Sequence, residues 1–263
     1  MIANYHTHTP RCHHATGTEE DYVRCALEAG LQVLGFSDHT PYTFPGDYRS
    51  PLRMGTEEMP DYCRGVLAVK EKYASRIKIH LGAEAEYYPA YFQNYLDFMR
   101  QFPVEYLILG QHYVGNEIGC AYTTTATEDA SVLVQYCEQT VEALHTGLFS
   151  YMAHPDSIRY TGSERIYLEQ LRKVCKAAKE TDTPLEMNLL GIRGRRHYPN
   201  WQFWEVAAEE NCTVIFGSDA HNPQDVLDPA SERQALEVVH RLGMKRIEIL
   251  PLRGIGATMG EFV

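Results

Sequence analysis

His6-Thr7-His8 sets two imidazoles two positions apart in a short apolar stretch. In an extended chain, side chains two apart share a face, so both rings can reach one ion. The same residue types recur further on as Asp38-His39, Glu84, His112, His154 and Ser218-Asp219-Ala220-His221, and His14 lies close behind the first pair. Imidazole and carboxylate without thiolate suit Zn2+, Mn2+ or Fe2+ in an open catalytic site. Glu84 can bridge two ions, and Asp219 can complete the first. Two ions close together hold a hydroxide between them and clamp phosphoryl oxygens for in-line attack, which is the chemistry of phosphomonoester hydrolysis. His39, His221 and Asp219 are the candidates for moving a proton to the leaving alkoxide. Without cations, burying so many ionisable groups together would cost several kcal/mol per charge.

Each of these residues ends or follows a short β-rich apolar run. The runs lie at residues 2–5, 33–36, 77–81, 106–109, 149–152, 185–187, 214–216 and 247–250. Helical patterns fall between most of them. Thr18 and Asp21 resemble a capping box opening the first, and Gly30 sits where its cap belongs. Others span 128–144 closed by Gly147, 164–178, 201–210 closed by Asn211, and 231–242 closed by Gly243. Repeated strand–helix alternation implies a parallel sheet with helices outside, and seven or eight units suit a closed TIM-like α/β barrel. In such a barrel the C-terminal strand ends converge on one mouth. Six strands deliver His, Asp or Glu there, and the sixth delivers Asn188 followed by Arg193, Arg195 and Arg196. No Pro-, Gly- or Ser-rich linker divides the chain, so residues 1–263 read as one domain.

Two connections depart from the rhythm. Residues 40–60 carry Pro41, Pro45, Pro51 and Pro60 and read as an ordered loop of the kind that forms lids. Residues 191–199 form a local basic cluster. Arg159, just past His154-Pro155-Asp156, and Arg193 are the expected phosphate binders. Glu86 shares a face with Glu84 and is placed to support a ligand from behind. His80, His145 and His240 read as packing, capping or surface residues.

Net charge is −11, from 24 Lys plus Arg against 35 Asp plus Glu, which disfavours extended nucleic acid as a partner. No apolar stretch approaches the roughly 20 residues that a membrane-spanning helix needs. The seven cysteines are scattered without a CxxC, and the N-terminus has neither the basic nor the apolar segment of a signal peptide; a cytoplasmic protein is expected.

His6-Thr7-His8-Thr9-Pro10 with Cys12 and His14, then Asp38-His39, Glu84, His112, His154-Pro155-Asp156 and Gly217-Ser218-Asp219-Ala220-His221 resemble, in order and spacing, the motifs of the PHP (polymerase and histidinol phosphatase) family. The branch most similar is the bacterial histidinol-phosphate phosphatases. The resemblance implies a distorted seven-stranded βα barrel with three divalent ions at the C-terminal strand ends. It places His6, His8, Glu84 and Asp219 on one ion, Glu84, His112 and His154 on a second, and His14, His39 and His221 on a third. Spacing favours His14 over His13. The implied substrate is a small phosphorylated metabolite, L-histidinol phosphate; a nucleotide or other phosphomonoester is the alternative. An amidohydrolase ranks lower, because His112 stands where a metal-bridging lysine or carboxylate would be. A metal-binding module without activity would be expected to have lost ligands, and none is missing. The chain departs from those phosphatases after the sixth strand, where it has Asn188-Leu189-Leu190-Gly191-Ile192 and then Arg193.

Overall fold

The computed structural model describes residues 1–256, so the final stretch of the 1–263 domain lies outside the described residues. The described chain forms one parallel sheet whose strands follow in sequence order, each paired with the next. They are β1 (Ala3–Asn4), β2 (Val33–Phe36), β3 (Lys78–Ala85), β4 (Tyr106–Leu109), β5 (Phe149–Met152), β6 (Leu185–Asn188), β7 (Thr213–Gly217) and β8 (Lys245–Arg246). Helices α1 (Glu19–Glu28), α2 (Met59–Lys72), α3 (Phe92–Met99), α4 (Ala130–His145), α5 (Glu164–Glu180), α6 (Leu189–Arg193), α7 (Trp201–Glu209) and α8 (Pro229–Arg241) make the crossovers.

The sheet counts eight strands where seven were expected. At the mouth, however, a parallel bridge joins Thr7 to Ala220, with His8 N–H donating to Ala220 O at 3.0 Å and Ala220 N–H to His6 O at 3.2 Å. The chain leaving β1 thus runs beside the chain leaving β7. The two-residue β8 lies at the other end of β7, with Thr213 opposite Lys245. The apolar run at 247–250 follows β8 and is not a strand.

Most helix signals act as their chemistry requires. Thr18 and Asp21 close a capping box on α1, and Gly30 takes φ +77°, open to glycine at little cost. Asp228 caps α8 through the N–H groups of Ala230 and Ser231. The long loop ends earlier than expected, because α2 starts at Met59 and holds Pro60 in its first turn, where the missing N–H costs nothing.

Strand alternation divides two cores. Leu107 and Leu109 face the helices, whereas Tyr106 and Ile108 join Ala3, Tyr5, Val33, Tyr151, Ala153, Ile215 and Leu250 in a separate cluster inside the sheet's curl. Tyr106 donates to Tyr5 O at 2.8 Å, and its ring occupies the space a Cβ on Gly82 would need, 2.2 Å away. The interior is therefore filled by aromatic and aliphatic side chains below, and polar residues gather at the strand ends above.

Candidate metal centre

Beyond β1 the side chain of Asn4 shapes the backbone. It donates to Thr7 Oγ1 at 2.8 Å and accepts the Ser218 N–H at 3.0 Å, which ties the first strand's exit to the seventh's. His6 and His8 follow on one face, both fully buried, their ring centroids 5.1 Å apart. His8 stacks on His221 at 4.1 Å, His221 on His14 at 4.7 Å, and His39 lies 4.5 Å from His8. His112 is 4.9 Å from His154, which is 5.8 Å from His6. Seven imidazoles from five strand ends thus form one cluster.

Glu84 sits at its middle. One oxygen lies 3.0 Å from His154 Nε2 and 3.6 Å from His112 Nε2. The other lies 3.1 Å from His39 Nδ1, 3.4 Å from His6 Nε2 and 3.5 Å from His8 Nε2. Asp219 Oδ1 is 3.2 Å from His8 Nε2, 3.3 Å from His221 Nδ1 and 3.6 Å from His6 Nε2. Ligand atoms converge within 4.8 Å in the sets His6–His8–Asp219, His6–Glu84–His154, His8–His39–Glu84 and His14–His39–His221. Cys12 approaches His8 and His221 as closely, a contact the sequence reading did not foresee; burial pushes its thiol pKa far up. His13 does not join: it takes φ +70° and faces a cavity along the 40–58 segment.

Three carboxylates stand behind the rings. Glu186 lies 2.8 Å from His6 Nδ1, Asp38 3.3 Å from His8 Nδ1 and Glu86 3.5 Å from His112 Nδ1. Each arrangement suits an Nδ1 proton and leaves Nε2 free for a metal. Glu186 also accepts the His154 N–H at 3.0 Å and Asn188 Nδ2 at 2.9 Å, and Asn188 Nδ2 reaches Asp219 Oδ2 at 3.1 Å. A Cβ on Gly217 would meet Glu186 at 1.8 Å, so only glycine leaves room for this support. Sequence reasoning missed Glu186. Its signal was an acid alternating with Leu185 and Met187 in a buried strand, two positions before Asn188, the same pattern as Glu84 and Glu86.

His6 Nε2, His8 Nε2, Glu84 Oε2, Asp219 Oδ1 and His221 Nε2 are buried without a hydrogen bond. Such orphaned atoms are costly unless a cation meets them, and their chemistry, imidazole plus carboxylate, fits divalent metal ions. The electrostatics agree. Burial opposes charge on Glu84 and Asp219, yet the surrounding histidines hold both well below the usual carboxylate range. Burial pushes His39 down and His221 to about 3, keeping them neutral as metal ligation requires. Burial also opposes charge on His8, but Asp219 and Asp38 raise it to about 9, so the acids draw positive charge into the cluster.

The cluster opens into a cavity of about 400 Å3 whose other walls include Leu52, Tyr122, Thr124, Leu190, Arg196 and Tyr198. Arg193 is not among its lining residues: its guanidinium spans Asp225 at 3.4 Å, Asp228 at 3.3 Å and Ser218 O at 3.3 Å. Arg159 lines a smaller adjoining cavity with Arg195, Arg196 and His197. His80 pairs with Glu105, and His145 with Val141 O, away from the site.

Asp156, beneath the mouth, supports a pH prediction. Burial raises its pKa to about 7, while its carboxylate accepts the Asn200 N–H. Below about pH 4 the group is neutral folded or unfolded. Between pH 4 and 7 the unfolded chain ionises it and the folded one does not, so its contribution to stability falls as pH rises and levels off above 7. Asp156→Asn, which still accepts that N–H, is expected to gain on the wild type across this window by about 1.4 kcal/mol per pKa unit, a few kcal/mol in all. Urea unfolding of chelated protein at pH 5 and 8 measures it; an equal difference at both pH values would overturn it.

The model of the family described as the PHP domain matches residues 4–189. A probable histidinol-phosphatase of Deinococcus radiodurans is 29% identical over 242 residues, covering 86% of this chain and 88% of that protein. The histidinol-phosphatase of Bacillus subtilis is 24% identical over 255 residues, covering 84% and 94%. A histidinol phosphate phosphatase of Lactococcus lactis, solved with zinc, L-histidinol and phosphate, superposes with a TM-score of 0.72 at 18% identity, over 94% of this chain and 95% of that one. That likeness is one of fold, a parallel curled α/β sheet of TIM-like type. The family match covers most of the chain and includes His6, His8, His14, His39, Glu84, His112 and His154; the chain belongs to the PHP domain family.

Proposed function

We propose that the protein is a metal-dependent phosphatase that hydrolyses L-histidinol phosphate to L-histidinol and inorganic phosphate. The observation that carries this reading is the clustering of seven imidazoles with Glu84 and Asp219, five of the rings and both carboxylates lining one open cavity that also holds a guanidinium, Arg196. The relatives named histidinol-phosphatase support the same substrate.

Three divalent ions, Zn2+, Mn2+ or Fe2+, are assigned: one to His6, His8, Glu84 and Asp219, one to Glu84, His112 and His154, and one to His14, His39 and His221. The site then lies at the C-terminal ends of the seven strands that meet at the mouth, in one domain spanning residues 1–263. When bound, such ions supply positive charge to phosphoryl oxygens and lower the pKa of water.

The chain's own residues do the rest. Asp38, Glu86 and Glu186 hold three rings in register. Arg196, whose Nη1 donates to Tyr198 Oη at 2.8 Å, meets the phosphate, with Arg159 behind it in the adjoining cavity. Arg193, committed to Asp225 and Asp228, braces the start of α8 instead. Leu52, Leu190, Tyr122 and Tyr198 form an apolar and aromatic wall for the substrate's imidazole, and Asn222 and Asp225 offer acceptors for its ammonium. Asp219, His221 and His39 all line the cavity and are the groups placed to pass a proton towards the leaving alkoxide. Seven free cysteines fit action in the cytoplasm.

The test is kcat/KM for L-histidinol phosphate beside simple phosphomonoesters and mononucleotides, with metal content by elemental analysis. Histidinol phosphate is expected to be preferred by at least about a hundredfold, a discrimination that paired polar groups in a pocket can supply. Preference for a mononucleotide would overturn the substrate. Arg196→Ala is expected to raise KM about tenfold to a hundredfold at unchanged metal content, the loss of a charge-assisted pair. Arg193→Ala should leave KM within about threefold; the reverse pattern would return the phosphate to Arg193.

A further inference from the structure

Residues 40–58 contain no strand or α-helix, yet they are buried at 40–42, at 44 and again at 53–54. Tyr42 stacks on Tyr95 at 4.5 Å, and Phe44 packs edge-on against Tyr91 at 5.3 Å. The chain then runs outward and returns at Arg53, which is 4% exposed. An arginine so buried must be paired. Arg53 Nε donates to Glu117 Oε2 at 2.8 Å, Nη1 to Thr40 O at 3.3 Å and Nη2 to Glu86 Oε1, while the guanidinium lies over Tyr42. Glu117, in the segment between β4 and α4, also accepts Tyr48 Oη at 3.1 Å and Ser50 Oγ. One buried carboxylate therefore binds three side chains of the segment.

The other carboxylate leads to the metal centre. Glu86 accepts the N–H groups of His112 at 3.1 Å and Tyr113 at 2.9 Å and the hydroxyl of Tyr88, and stands behind His112 Nδ1. Leu52, next to Arg53, is a wall of the cavity over the histidines. A planar fork that grips two carboxylates and a carbonyl cannot be replaced by an ammonium without losing geometry.

We propose that Arg53 is a positioning residue for specificity: it fixes the 40–58 segment as a static wall, seats Leu52 against the organic part of the substrate, and holds Glu86 behind His112. The segment is thus not a lid that opens at each turnover. The substrate half of this inference rests on the phosphatase reading above; the loop and metal halves do not.

The test compares metal-loaded wild type with Arg53→Lys, which keeps the charge and loses the fork, and with Leu52→Ala. In Arg53→Lys, amide hydrogen exchange across residues 42–57 is expected to rise at least about tenfold relative to the rest of the chain, as local opening becomes easier. Zn2+ titrated into chelated protein against a competing dye should bind about tenfold more weakly at one site. KM for histidinol phosphate should rise about tenfold while KM for methyl phosphate stays within about twofold, and Leu52→Ala should reproduce that split without the exchange change. Unchanged exchange with unchanged Zn2+ affinity, or equal KM changes for both esters, would overturn the proposal. If wild type does not hydrolyse histidinol phosphate, the phosphatase reading falls, and the exchange and Zn2+ measurements still decide on Arg53. Should Arg53→Lys fail to fold, Glu117→Gln carries the same exchange measurement with the same two outcomes.

Discussion

Glu84→Ala is expected to lower kcat by at least about a thousandfold, roughly 4 kcal/mol of barrier, and to strip metal from the protein. Its oxygens lie within 3.6 Å of nitrogens from five histidines, His6, His8, His39, His112 and His154, divided between its two ends. Asp219 approaches only His6, His8 and His221, on the β7 side. Without Glu84, His112 and His154 keep no carboxylate between them and the rest of the cluster, so the second ion loses its link to the first. Glu84→Gln keeps the volume but removes the charge and is expected to fail nearly as badly. Elemental analysis and single-turnover kinetics measure both effects. An alanine variant with full metal content and more than a tenth of the wild-type kcat would show that Glu84 is not the shared ligand.

The second large effect comes from adding one methyl group. In Gly110→Ala the new Cβ would lie 1.8 Å from Glu84 Oε1, and in Gly217→Ala 1.8 Å from Glu186 Oε1 and 3.1 Å from the Cβ of His6. Carboxylates at the end of flexible side chains usually swing away. These two cannot do so freely, because Glu84 is buried among five imidazoles and Glu186 is held by His6, the His154 N–H and Asn188. Displacing either forfeits charge-assisted hydrogen bonds and adds overpacking of about 1–3 kcal/mol, which lowers Tm by about 2–4 °C per kcal/mol in a chain of this size. Both variants should lose at least one ion and a hundredfold in kcat. Gly254→Ala, whose Cβ meets nothing within 4 Å, is the control. Normal metal content in Gly217→Ala would mean that Glu186 does not orient His6.

The chemistry of the site was legible because each ligand candidate stands at the end of an apolar run, and barrel geometry sends strand ends to a common place. His6, His8, Glu84 and Asp219 need no knowledge of helix packing to be found. What escaped depends on direction, not type. Arg193 ends the five-residue α6 and Arg195 and Arg196 follow it, too short a stretch for periodicity to tell which guanidinium faces the cavity, and Arg193 is taken by acids from the segment before α8. Arg53 lies in a proline-rich stretch without periodicity, and its carboxylate partners come from just past β3 and from the β4–α4 connection, far away in sequence. Helix α2 was hidden because Pro60 reads as a breaker unless its place in the first turn is known. The strand expected at 247–250 failed because an apolar run does not specify register, and pairing occurs at Lys245 and Arg246 instead.

The Thr7–Ala220 bridge bears on when the site can come into being. Asn4 and Ser218, hydrogen-bonded across the same seam, are 214 residues apart in the chain. His6 and Asp219 flank that seam, so an ion shared between them would close most of the polypeptide into one ring. Joining ends so distant removes a large part of the disordered chain's freedom, and the stabilisation grows only with the logarithm of ring size. During synthesis the first two histidines must wait for β7 to emerge before Asp219, the last of the acids that meet them, arrives. Metal occupancy would then register completion of the entire barrel, and truncated or half-made chains would be left without it.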